Sequence, residues 1–276
     1  MVNGCFYASL SLGLAIIFGL LNVINFSHGA QYMMGAFTAL LLLKYMGVNY
    51  WLALIVAPLI VGVTGILIER LFLKKLYNKD PLYGLLLTFG LALIAEGVFT
   101  YSYGVSGMTY PTPKAMSGAF NLGFMFLPKY RAWVIIASLV VCFGGWFIIE
   151  FTKLGAYLRA GTENPKLVEA FGVNVPLTVT ITYGCGAALA AFAGVLAAPV
   201  LQVNPLMGSN LIIVVFAVVV IGGMGSILGS IITGLGLGVI EGLTKVIYPE
   251  ASTTVIFFFM VIVLLVTPSG LFGQEK

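Results

Sequence analysis

Between Glu169 and Glu241 the chain runs for 71 residues without an Asp, Glu, Lys or Arg. A helix crosses the hydrocarbon core of a bilayer with about 20 apolar residues, so this run alone has room for three crossings. No charge precedes Lys44 either. Only 8% of the residues are charged and the mean hydropathy is +1.10, against roughly 25% charged residues in soluble domains. A surface of that kind belongs in lipid and excludes a soluble enzyme. In lipid every backbone N–H and C=O must pair within the protein, which leaves helices or closed barrels. The apolar segments are continuous rather than alternating with period two, so the expected fold is an all-α, polytopic transmembrane bundle.

Segmentation on hydropathy places helices at about 2–22, 30–46, 50–72, 82–102, 131–151, 177–198, 211–227, 228–247 and 253–268, or eight to nine spans. The count turns on Gly222 to Ser226, GGMGS, which is either a turn between two helices or a break inside one. Gly225, Gly229, Gly234 and Gly238 recur at four- to five-residue intervals, the spacing that lets helices approach closely. The apolar start lacks a basic leader and a cleavage site, so it reads as a retained first span. Cys5, Cys142 and Cys185 lie apart in apolar segments, which suggests neither a disulfide framework nor a metal site. The whole of residues 1–276 reads as one transmembrane domain.

Cytoplasmic loops are enriched in Lys and Arg. One side collects Arg70, Lys74, Lys75, Lys79, Lys153, Arg159, Lys166 and Lys276; the other has Lys44, Lys114, Lys129, Arg131 and Lys245. Eight against five favours a cytoplasmic C-terminus, with the long loop from Gly104 to Tyr130 outside. The net charge of +4 records this edge bias and is no sign of nucleic-acid binding.

The largest cluster of charge lies at about 152–176, TKLGAYLRAGTENPKLVEAFGVNV. Asn164 suits a helix cap, Pro165 a first turn and Gly172 a left-handed stop. At about 100° per residue, Leu167, Val168 and Phe171 share one face, with Lys166 and Glu169 opposite. Such a short amphipathic helix either lies in the headgroups or docks in a partner's groove.

Four stretches together resemble the branched-chain amino acid ABC-transporter permeases of the LivH type. They are Gly4 to Phe37, with NFSHG at Asn25 to Gly29; the loop just described, with Gly155, Arg159, Ala160, Ala170 and Gly172; Ala187 to Gly208; and Val220 to Glu241, followed by TPSGLFG from Thr267 to Gly273. The resemblance implies an importer subunit that pairs with a second, related permease. It also implies two ATP-binding-cassette ATPases and an extracytoplasmic substrate-binding protein. On this reading the segment at 152–176 is a cytoplasmic coupling loop. Its ATPase contacts would be Arg159, Glu163, Pro165, Leu167, Val168, Glu169, Phe171 and Gly172. The chain has no GxxxxGK[ST] phosphate-binding loop of its own, consistent with ATP being hydrolysed by a partner. Two features depart from the family. Fewer residues precede Gly4 than relatives usually carry, and Ala30 stands where many place an acidic residue after His-Gly.

Polar groups inside a membrane bundle are costly and therefore candidates for function. Asn25, Ser27 and His28, with Gly29, interrupt the junction of the first two spans; Glu96 and Glu241 lie within later ones. They either line the solute path, as interrupted helices do in transporters, or serve as interhelical hydrogen-bonding groups. Thr88 and Asn204 are polar without a positional signal. No cofactor, metal site or catalytic residue is expected: His28 is the only histidine, and Ser27 beside it has no third member for hydrolysis. The function expected is passage of leucine, isoleucine, valine or a similar small solute. Urea and other small polar solutes are the alternative within the class. A self-sufficient secondary transporter would have only Glu96 and Glu241 for a coupling ion and would leave the capped helix unexplained.

Overall fold

The computed structural model describes residues 1–21, 25–77, 79–121, 123 and 126–273. Among the described residues nine long helices follow the apolar segments: α1 (Val2–Leu21), α2 (Ser27–Met46), α3 (Tyr50–Leu71), α4 (Pro81–Tyr103), α5 (Lys129–Phe151), α8 (Val175–Ala197), α9 (Met207–Gly222), α10 (Ile227–Ile247) and α11 (Thr254–Val266). Six of them, α1, α3, α4, α5, α8 and α10, are long and apolar enough to cross a membrane on length and composition alone. Between α5 and α8 lie two further helices, α6 (Lys153–Glu163) and α7 (Pro165–Ala170). The segment expected as a loop around one short helix is therefore a helical hairpin. α6 escapes the hydropathy pattern because it is amphipathic and weakly apolar overall.

Helix α1 is the axis of the bundle. Small residues let α10 lie against it along its length: a Cβ on Gly238 would meet Gly4 Cα at 2.1 Å, and one on Gly234 would meet Ala8 N at 2.7 Å. Further along the same seam Ser11 Oγ donates to the Ser230 carbonyl, and Gly19 abuts Gly225. Helix α8 packs equally closely on α2 and α3, through Gly35 against Ala191 and Gly65 against Ala187. In lipid, where apolar burial gives little drive, such contacts gain from dispersion and close backbone approach.

The GGMGS segment is a break: α9 stops at Gly222, α10 starts at Ile227, and Gly223 and Gly225 take φ of 101° and 94°. Helix α9 begins four residues earlier than its hydropathy suggested, at Met207, because the small residues Gly208 and Ser209 continue its first turn. The TPSGLFG tail folds back onto the break. Leu271 N donates to the Ile221 carbonyl at 2.9 Å and Phe272 N to the Gly222 carbonyl at 3.2 Å.

At the opposite end the α4–α5 connection carries a small antiparallel hairpin, β1 (Ala119–Asn121) and β2 (Phe126–Pro128). Met108 pairs with Val203, tying this connection to the one between α8 and α9. The outer flank of the bundle is apolar, with Leu86, Ile94 and Val98 of α4 and Ile55 and Leu59 of α3 exposed, as lipid-facing surfaces must be.

Candidate functional site

The first residues of α2 lie beside the middle of α1, inside the bundle. Asn25, Ser27, His28 and Gln31 are all at most 2% exposed. Asn25 Oδ1 accepts from Ser27 N at 3.1 Å and from Ser27 Oγ at 2.6 Å, fixing the turn that starts the helix. Ser27 Oγ lies 3.3 Å from the Tyr183 hydroxyl of α8. His28 Nε2 is 3.0 Å from the Leu10 carbonyl. A carbonyl oxygen only accepts, so Nε2 carries the proton and the ring is the Nε2–H tautomer if neutral.

This polar island is incompletely satisfied. Among the described residues the Tyr32 hydroxyl has no hydrogen-bond partner, and Asn25 Nδ2, His28 Nδ1 and the Gln31 amide lack a well-formed one, although Gln31 lies beside both His28 and Tyr183 and Asn25 beside Tyr183. An unpaired buried polar group costs about 1–3 kcal/mol, so several side by side in an apolar bundle are the most costly polar cluster of its interior. Gln31, Tyr32 and Tyr183 thus join the sequence-derived set of Asn25, Ser27 and His28. Gln31 was legible as an i+4 neighbour of Ser27 on one helical face. Tyr183 was not, since nothing in its own segment ties it to residues 156 positions away.

Gly29 faces the other way. With Phe26, Glu96, Gly208 and Ser209 it lines a cavity between the start of α2, the middle of α4 and the start of α9, of ≈ 40 Å³. Helix α4 reaches the junction through Thr88, whose Oγ1 accepts from Phe26 N at 3.1 Å, and through Phe89, packed edge-on to Phe26 with centroids 6.0 Å apart. The structure therefore brings Gly29 and Glu96 together, next to Asn25, Ser27 and His28.

Glu241 does not join them. It is 3% exposed and held by three donors: Asn3 Nδ2 at 3.1 Å, Tyr7 Oη at 2.9 Å and Lys245 Nζ at 2.6 Å. Four residues on one helix face, with the cation toward the C-terminus, give the favourable order for such a pair. Its carboxylate fastens α10 to the start of α1. A second buried carboxylate, Glu69 at 1% exposure, receives Tyr77 Oη at 2.8 Å and Thr180 Oγ1 at 2.7 Å, joining α3, the basic linker and α8. Its place one residue before Arg70 makes it look like part of a solvated helix end, so the sequence carried no sign of its burial. Asn204 lies half-buried in the α8–α9 connection, where Nδ2 donates to the Gln202 carbonyl.

Helix α7 has the expected caps: Asn164 Oδ1 accepts from Leu167 N at 3.1 Å, Pro165 opens the helix and Gly172 ends it at φ 84°. Phe171 is 79% exposed and Leu167 54%. Val168, expected on the same outward face, is only 7% exposed and is used by the chain itself, because α7 leans back on α6 and α8. Glu169 is exposed. Arg159 of α6 donates to the Ile149 carbonyl at 3.2 Å and lies 3.5 Å from Glu150, which draws the hairpin against the end of α5. The side chain of Glu163 and the whole of Lys276 lie outside the described residues.

The family model described as the branched-chain amino acid transport system permease component matches residues 1–266. The chain belongs to that family. It is 29% identical to the high-affinity branched-chain amino acid transport system permease protein LivH of Salmonella typhimurium, over 98% of this chain and 92% of the relative. It is 30% identical to BraD of Pseudomonas aeruginosa, a permease protein of the same description, over the same shares. A probable branched-chain amino acid transport permease protein LivH of Methanocaldococcus jannaschii is 33% identical over 85% of this chain and 75% of its own length. No solved structure matches the chain. As a member of the permease family with several membrane-crossing helices, it is a multi-pass membrane protein.

Proposed function

We propose that this chain is the translocating subunit of an ATP-binding-cassette importer that carries leucine, isoleucine, valine or a closely similar solute inward. One observation carries the reading: a buried cluster of polar side chains at the start of α2, in a chain that aligns along 98% of its length with branched-chain amino acid permeases. An amino acid is a zwitterion with an apolar side chain. Lipid excludes its charged end, and an apolar bundle admits it only where polar groups stand ready.

In this reading a second permease subunit completes the path, two ATPase subunits supply the energy, and an extracytoplasmic binding protein delivers the solute. The nine long helices all traverse or enter the bilayer. The end of the bundle carrying α6, α7, the basic linker around Lys74 and Lys75, and the C-terminal tail is cytoplasmic. Its basic character supports this. So does packing: Leu73 of the linker clusters with Ile17 near the end of α1, and Gly19 abuts the break on which the tail folds. Leu167 and Phe171 of α7 then face the ATPase.

The test is reconstitution of the chain with its permease, ATPase and binding-protein partners in proteoliposomes, followed by uptake of labelled leucine and urea. Leucine uptake that requires both ATP and the binding protein is expected. ATP-independent transport by the chain alone, or uptake of urea in place of leucine, would overturn it.

A further inference from the structure

Glu96 is the sole charged residue of α4, lies in the middle of that helix, and is half-buried. Among the described residues it has no hydrogen-bond donor and no cation, unlike Glu69 and Glu241, each of which is fully engaged. It stands on the wall of the cavity whose other walls include Phe26, Met33, Phe89, Leu93 and Ile212. A carboxylate left unpaired at the centre of a membrane helix is expensive unless a cation comes to it. An apolar cleft with a single carboxylate is complementary to a primary ammonium attached to a branched hydrocarbon.

We infer that Glu96 binds the α-ammonium of the passing amino acid while the surrounding apolar walls receive its branched side chain. The assignment rests on the transport function proposed above and names the group in this chain that selects for it. The first turn of α9, with Gly208 and Ser209, forms the facing wall, and the partial positive charge of a helix start there suits the solute's carboxylate. The cavity of ≈ 40 Å³ has room for a water or two, so the solute enters only when α4 parts from α2 and α9. Helix α4 is suited to that movement. Gly84 and Thr88 are its only buried residues, and its contact with the bundle runs through Thr88, the partly buried Leu87 and Ala95, and a few aromatic rings.

The experiment uses the complete importer in proteoliposomes with wild-type, Glu96→Gln, Glu96→Asp and Ala92→Leu chains, reading subunit assembly and ATP-driven uptake of labelled leucine and alanine. All four should assemble. Glu96→Gln should lower leucine uptake about tenfold or more, the scale of a lost hydrogen bond to a charged group, and Glu96→Asp should recover part of it. Ala92→Leu, which fills the cavity wall, should depress leucine uptake more than alanine uptake. Wild-type uptake by Glu96→Gln would overturn the assignment. So would failure of both Glu96 variants to assemble, which would place the carboxylate in a subunit interface. An equal effect of Ala92→Leu on both solutes would also count against it. A wild-type complex that moves no branched-chain amino acid would instead defeat the parent proposal, and is recognised without any variant.

Discussion

The imidazole of His28 lies directly over Gly13: a Cβ at position 13 would stand 2.9 Å from Cε1 and 3.1 Å from Nε2. The same Cβ would come within 2.9 Å of the Gly186 carbonyl oxygen. The glycine is therefore the space in which the histidine reaches the Leu10 carbonyl, and it lets α1, α2 and α8 meet at one point.

Gly13→Ala should accordingly displace His28 and separate α1 from α8. The expected cost is about 1–3 kcal/mol, the usual range for overpacking a tight interior, with loss of uptake alongside. Gly90→Ala is the control, since nothing lies within 4 Å of a Cβ there and helix propensity even favours alanine. Thermal unfolding of the detergent-solubilised complex and leucine uptake would be measured together. Equal behaviour of the two variants would show that the His28 contact is dispensable.

Glu241 makes a contrasting prediction, because it is tied on every side. Removing one donor by Tyr7→Phe leaves a buried carboxylate short of a hydrogen bond, which costs about 1.5–3 kcal/mol for a charged acceptor. Thermal stability should fall, while the KM for solute-loaded binding protein in the uptake assay stays unchanged. A selective change in KM at constant stability would move Glu241 from a fastening role into the path.

How much of this was readable beforehand follows from which forces act locally. Helix positions and the caps of α7 are set by hydropathy and by Asn164, Pro165 and Gly172, all within a few residues, and the sequence carries them plainly. The polar character of NFSHG was equally plain. What the sequence concealed is pairing at a distance. Tyr183 with Ser27, Glu69 with Thr180 and the tail with the GGMGS break are contacts between helices whose order in space hydropathy does not encode. Glu96 and Glu241 looked alike as carboxylates in apolar helices. Only the presence of Asn3, Tyr7 and Lys245 around one, and of an apolar cleft beside the other, separates them. Val168 shows the same limit: the helical wheel places it with Leu167 and Phe171, but the lean of α7 turns it inward.

The C-terminal tail offers a third test. Gly270 has φ of 84°, and a Cβ there would meet Gly223 Cα at 2.5 Å. Gly270→Ala should therefore strain the backbone and lift the tail from the α9–α10 break, at about 1–3 kcal/mol for the left-handed conformation alone. Limited proteolysis of the C-terminus would report the release directly. If the tail of the variant stays as protected as that of the wild type, its docking on Gly223 contributes little.

Helix α7 yields the sharpest comparison, because two neighbouring apolar side chains of one short helix point to different partners. Phe171 is 79% exposed and contributes little to the chain's own packing, whereas Val168 at 7% is part of it. If Phe171 is an anchor in the ATPase subunit, Phe171→Ala removes about 1.5–3 kcal/mol of apolar burial, or roughly tenfold to a hundredfold in affinity. The variant should leave the stability of the isolated permease unchanged. Val168→Ala should show the reverse, a less stable permease whose folded fraction still takes up the ATPase. Glu169→Ala and Lys166→Ala should change either property by less than about 1 kcal/mol, as exposed charges do. Co-purification of the ATPase, substrate-stimulated ATP hydrolysis and thermal unfolding of the permease would be read for all four variants. A Phe171→Ala chain that retains the ATPase and its stimulation would leave α7 as a helix lying on the membrane surface, with Phe171 in the headgroups rather than in a protein groove.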